Sequence, residues 1–106
     1  MNSNRVAMLI RMWEEQPSDP FFPFALGMEF IMSNRQQALH YFEETKKLFP
    51  EYLPAYYQLA LLSLEKEQTD QAKEYLRQGI ELAEKQMETK TLNELKALLS
   101  QIEWED

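Results

Sequence analysis

The chain has a single histidine, His40, and its nearest carboxylates in sequence, Glu43 and Glu44, follow three and four residues later. On a helix that spacing allows one His–carboxylate pair, whereas a metal site needs three or four convergent ligands, so His40 reads as a solvated helix histidine. There is no cysteine, which excludes disulfides, thiolate zinc sites and thiol nucleophiles. The paired acids Glu14-Glu15 and Glu43-Glu44 are neighbours in sequence and therefore diverge around a helix, an arrangement suited to solubility and not to two-carboxylate catalysis. The two glycines, Gly27 and Gly79, both fall inside expected helices, so no phosphate-cradling loop can be written. Met8, Met12, Met28 and Met32 could form a soft binding surface, although filling gaps in a core is the commoner role for methionines at such spacing. No enzyme is expected, with no catalytic residue, no metal and no cofactor.

Composition sets the remaining bounds. The 106 residues suffice for one folding unit, and 44% hydrophobic with 27% charged residues excludes wholesale disorder. Eighteen acids against eleven bases give a net charge of −7, which repels nucleic-acid backbones and anionic membrane surfaces. The excess is uneven: residues 1–62 hold five bases and seven acids (−2), and residues 63–106 hold six and eleven (−5). The apolar run Val6-Ala7-Met8-Leu9-Ile10 is too short for a signal-peptide core or a membrane span, so a cytoplasmic location is expected.

Helix signals fill the chain, and no stretch alternates with period two. Val6, Leu9, Ile10 and Trp13 share a helical face that Pro17 stops. Asp19-Pro20 reads as a cap followed by proline at the first helical position, opening a second helix to about Met32. Asn34 with Gln37 resembles a capping box for a third helix through Ala38, Phe42 and Leu48, closed by Pro50. Pro54 opens a fourth, through Leu59 to Leu64. Thr69 or Asp70 is placed to cap a fifth through Ala72, Leu76, Ile80 and Ala83. A sixth is expected over 89–103, with Thr91 and Glu94 as a second capping box ahead of Leu95, Leu98, Leu99 and Ile102.

The helices repeat. Pro17 and Pro50 are 33 residues apart, and Ala38 and Ala72 are 34 apart. Aligning 24–30 with 57–63 superposes an aromatic, then a leucine, then a small residue; aligning 38–42 with 72–76 superposes an alanine and a bulky residue four positions on. A small residue on each of two antiparallel helices permits close approach, and the bulky residue a turn away fills the space beside it. At Leu26-Gly27, Phe30, Ala38, Phe42 and Pro50, and again at Leu59-Ala60, Ala72 and Leu76, the sequence resembles the tetratricopeptide repeat family. The resemblance places repeats over 20–52 and 53–86, a leading half-repeat over 4–17 with Leu9 at its bulky position, and a capping helix over 89–103, all in one domain of residues 1–106. It implies an all-α antiparallel helix-hairpin array, an α-solenoid of about six helices. The sequence departs from the family pattern at Pro23 and Tyr56 (tryptophan favoured), Thr45 and Gly79 (alanine) and Glu84 (proline), and the first repeat is one residue short between its helices.

The family binds extended peptides or partner helices on the concave face of its first, or A, helices, so the resemblance implies a protein interaction module. The A-helix positions facing that way carry Phe24, Met28 and Ile31 in the first repeat and Tyr57, Leu61 and Leu64 in the second, off the seam of Leu26, Gly27, Phe30, Leu59 and Ala60. Family members that clamp a C-terminal carboxylate of chaperones use lysines, asparagines and an arginine where this chain has Phe24, Met28, Pro54 and Gln58, so that ligand class is not expected. Three occupants of the apolar face remain open: an unidentified protein or peptide, neighbouring helices of the chain itself, or a second copy in a structural homodimer.

Overall fold

In the computed structural model, residues 3–105 are described. Among them six helices follow one another without a strand: α1 (Ser3–Glu15), α2 (Phe21–Phe30), α3 (Arg35–Leu48), α4 (Pro54–Glu65), α5 (Thr69–Gln86) and α6 (Thr89–Glu105). The chain divides into two compact units, one reaching to Ala55 and the other beginning at Tyr56.

In the first unit α2 packs on both α1 and α3. Leu9 is the one buried residue of α1 and joins Phe22, Ala25 and Leu26 of α2, with Val6, Met12, Trp13 and Tyr41 packed around them. Tyr41 ties the three helices together, since its ring stacks on Phe30 at 5.8 Å and meets Trp13 edge-on at 6.4 Å. Arg5 Nε donates to Glu29 Oε2 at 2.8 Å, an additional tie between α1 and α2 at their partly exposed ends. The α2–α3 seam is tighter still. A Cβ built on Gly27 would fall on the Phe42 ring, 2.6 Å from Cδ1 and 2.8 Å from Cζ. In the second unit Leu59, Ala60, Ala72, Leu76, Ala83 and Leu95 are fully buried, and α5 packs on α6.

Helix ends follow the sequence in some places and correct it in others. Asp19 Oδ1 accepts from the Phe21 N–H at 2.9 Å, so it caps α2 as expected, with Pro20 already in helical conformation. Asn34 Oδ1 accepts from the Gln37 N–H at 3.1 Å, while the Asn34 N–H is taken by the Phe30 carbonyl at 2.8 Å, so the capping box closes in one direction only. α2 stops at Phe30 and not near Met32: with one residue fewer between its helices, the chain must turn over Ile31–Ser33 to reach Asn34. Neither Thr69 nor Asp70 caps α5, because the helix begins one residue earlier, where the Gln68 carbonyl accepts from Ala72. Thr91 and Glu94 do not form a capping box either. α6 is already under way at Thr89, with the Glu88 carbonyl accepting from Leu92 at 2.9 Å.

Three of the departures from the repeat pattern, Thr45, Gly79 and Glu84, have local explanations. Thr45 is fully buried, yet its hydroxyl donates to the Tyr41 carbonyl at 2.7 Å and so remains satisfied. At Gly79 a Cβ would lie 3.1 Å from Tyr56 Cβ and 3.2 Å from Leu95 Cδ1, so glycine there matches a bulky neighbour on α4. Where proline is favoured, Glu84 continues α5, which instead ends in a left-handed turn at Met87. The Met87 N–H bonds to Glu84 O and the Glu88 N–H to Ala83 O, satisfying the last carbonyls. Glu67 closes α4 in the same way at φ 59°.

Glycine takes left-handed φ without steric cost, and Met87, 85% exposed, has little packing to lose. Met87→Gly is therefore expected to stabilise the protein by about 0.5–1 kcal/mol in denaturant unfolding, net of its extra unfolded-state entropy. At the seam, Gly27→Ala should cost about 1–2 kcal/mol, because overpacking against Phe42 outweighs the gain in helix propensity. Phe42→Leu alone should also destabilise, and the double variant should be more stable than the sum of the singles predicts by about 1 kcal/mol. Additive losses would show that the two residues do not share the contact.

Candidate functional site

Phe24, Met28 and Ile31 are spaced i, i+4, i+7, as are Tyr57, Leu61 and Leu64, so each trio lines one side of its helix track. In the first unit Met28 is 43% exposed, while Phe24 and Ile31 are half-buried. Ile31 lies one residue past the end of α2, its N–H bonded to Met28 O at 3.3 Å. In the second unit Tyr57, Leu61 and Leu64 all lie within α4 and are half-buried. The seam residues of the same helices, Leu26, Gly27, Phe30, Leu59 and Ala60, are buried. Each A helix thus carries a closed face and an adjoining apolar face still reached by solvent.

Phe24 is more than a surface aromatic. Its ring lies 5.4 Å from Phe42 and 5.3 Å from Tyr52, so it stands on the α2–α3 core at one side and against the segment before α4 at the other. Tyr52 was not singled out by the sequence. It lies outside any helix, between Pro50 and Pro54, where no periodicity marks its direction. Burial first, and the negative charge of Asp19 second, push its phenol above the ordinary tyrosine value of 10.0.

The other chemistry-bearing residues do not converge. His40 is exposed, with its ring 5.3 Å from Tyr41, and Glu14, Glu15 and Glu43 are exposed as well. Among the described residues no group of three or more histidines or acids is placed to hold a metal ion, and no helix is long and apolar enough to cross a membrane. Of the four methionines, only Met12 packs against the Leu9 cluster. Met8, Met28 and Met32 are exposed, Met32 by 84%, so gap-filling does not account for them.

Comparison with known proteins adds to this geometry. The family model described as tetratricopeptide repeat matches residues 53–86. The solution NMR structure of a tetratricopeptide repeat domain protein from Salinibacter ruber is similar at 35% identity and a TM-score of 0.79, over 85% of this chain and 92% of that one. A crystal structure of a tetratricopeptide repeat domain protein from the same organism is also 35% identical, with a TM-score of 0.79, over 83% of this chain and 100% of that one. No curated protein matches the chain.

The Tyr52 environment makes a pH-dependent contribution to stability. Because its folded-state value is raised, the contribution is fully present below pH 10.0 and is lost as pH rises through the raised value. Thermal melts of wild type and Tyr52→Phe between pH 8 and about pH 11.5 should run parallel up to pH 10 and then diverge, with wild type losing more. Parallel curves throughout would show that the Tyr52 value is not raised in the folded protein.

Proposed function

This chain belongs to the tetratricopeptide repeat family, and on that premise we propose that it is a non-catalytic protein–protein interaction module that takes a peptide or partner helix on the apolar faces of α2 and α4. In this reading residues 20–52 and 53–86 are the two repeats, 4–17 the half-repeat before them and 89–103 a capping helix. One observation carries it. On both A helices the seam is closed, while the neighbouring residues Phe24, Met28, Ile31, Tyr57, Leu61 and Leu64 retain accessible apolar surface. Aromatic residues there supply large contact area with few rotors to freeze, so Phe24 and Tyr57 are the expected anchors. The overall negative charge keeps nucleic acid and anionic membrane out of this role.

Capture of partners from the cells that make the protein, run in parallel with thermal unfolding, tests the reading. Tyr57→Ala is expected to cost the captured partner about 1–3 kcal/mol of affinity and to leave the melting midpoint close to wild type. Phe24→Ala should weaken capture and lower stability together, because its ring rests on Phe42 and Tyr52. Glu43→Ala, at an exposed α3 position, should change neither. Retained capture in both aromatic variants would send the search to another surface. A two-chain mass in light scattering that Tyr57→Ala reduces to one chain would assign the same face to a homodimer.

A further inference from the structure

Along the solvent side of α2 the apolar residues fall at a repeating interval. Phe21, Phe24, Met28 and Ile31 are three, four and three residues apart, the spacing that keeps a row in line along a helix and meets a second helix as knobs in holes. Phe21 is 48% exposed and Met28 43%, and Phe24 and Ile31 are half-buried. Ile31 keeps helical angles, φ −50° and ψ −45°, so the row continues one residue past the end of α2. The row carries no charge. Glu29 is the one ionisable residue from Phe21 to Ile31, and Arg5 on α1 holds its carboxylate at 2.8 Å.

Hydrogen-bonding capacity separates the ligands that could cover this row. An extended peptide brings a backbone N–H and C=O at every residue, and those pressed onto the row would meet no donor and no acceptor stronger than a thioether sulfur. Tyr52, whose ring meets Phe24, adds a single hydroxyl. A helix pairs its backbone groups internally and presents only side chains, so it lies on an apolar row without that cost. We propose that Phe21, Phe24, Met28 and Ile31 seat an amphipathic helix of a partner protein, with uncharged apolar residues at the same spacing facing the row. The row is about 15 Å long, which matches about three turns of helix. The inference rests on the interaction reading above, narrows its partner from peptide or helix to helix, and adds Phe21 to the contact. A second copy of the chain fits less well: four side chains, none more than half exposed, supply far less than the roughly 800 Å² per partner of a stable dimer.

The probe is a synthetic peptide of about 16 residues and no net charge, with leucines at heptad a and d positions among alanine, lysine and glutamate, titrated into the full chain by NMR. Its control keeps every leucine but carries two central prolines, which break the helix. The helical peptide should shift the Phe21 ring and Met28 methyl signals saturably and gain helicity on binding, and the proline control should bind about tenfold more weakly. Phe21→Ala removes an exposed ring and keeps the N–H that Asp19 caps, so it should weaken peptide binding about fivefold with unchanged circular dichroism. Equal binding of the two peptides, no saturable shift at Met28, or no loss in Phe21→Ala would each overturn the proposal. A two-chain mass in light scattering that Phe21→Ala reduces to one chain would overturn it in favour of a second copy. Its failure is separable from failure of the module reading. Capture lost in Tyr57→Ala while Met28 does not respond to the helical peptide leaves the module and removes the helix site; a saturable Met28 response with capture indifferent to Tyr57→Ala and Phe24→Ala does the reverse.

Discussion

The first unit depends on the absence of one carbon atom. Gly27 has no Cβ, and the Phe42 ring occupies the space where one would be. That permits α2 and α3 to close on each other, so Phe42 and Leu26 become fully buried. Phe42 in turn supports Phe24, and Phe24 supports Tyr52, so the chain of rings leads from the helix seam to the surface. The solvent-reached apolar face is thus mechanically continuous with the core, and its shape is set by packing and not by a flexible loop.

The two units use different residues at the corresponding positions. Where the first has Gly27 and Phe42, the second has Ala60 and Leu76, a larger small residue paired in the alignment with a smaller large one. All four are buried, so the exchange conserves volume along the seam while changing which helix supplies it. The second unit has its own glycine, Gly79, facing Tyr56 and Leu95 at the contact of α5 with its neighbours. In each unit the A-to-B contact therefore sets a glycine against an aromatic, Gly27 of α2 against Phe42 of α3 and Gly79 of α5 against Tyr56 of α4. A repeat fold tolerates such exchanges because each contact is local, with each helix pair satisfying its own packing.

Closed seam and accessible strip are two consequences of the same helical geometry. An A helix that buries Leu26, Gly27 and Phe30, or Leu59 and Ala60, must turn another face elsewhere, and in this chain that face is apolar. Had it been charged, solvation would account for it. Half-buried aromatics and an exposed methionine instead leave surface whose removal from water is favourable, and the family to which the chain belongs makes protein association the natural outcome.

By itself the sequence determined the number and type of elements, the repeat spacing, and the seam residues. These follow from short-range rules: apolar residues at helical spacing, prolines that cannot continue a helix, and small residues recurring at 33 to 34 positions. The six strip residues could also be picked out by register, although their accessibility could not. Tertiary structure decided what periodicity does not encode. Whether Met87 adopts left-handed φ, and hence that Thr91 lies inside α6 and does not cap it, depends on how the chain leaves α5. That Tyr52 lies against Phe24, 28 positions away, and that the charge of Asp19, 33 positions away, acts on it, follows from the α2–α3 hairpin. Local preference fixes a helix and its faces. Which side chains meet beyond it is settled only when the helices are packed at contact distance, where a single missing Cβ determines where a ring can go.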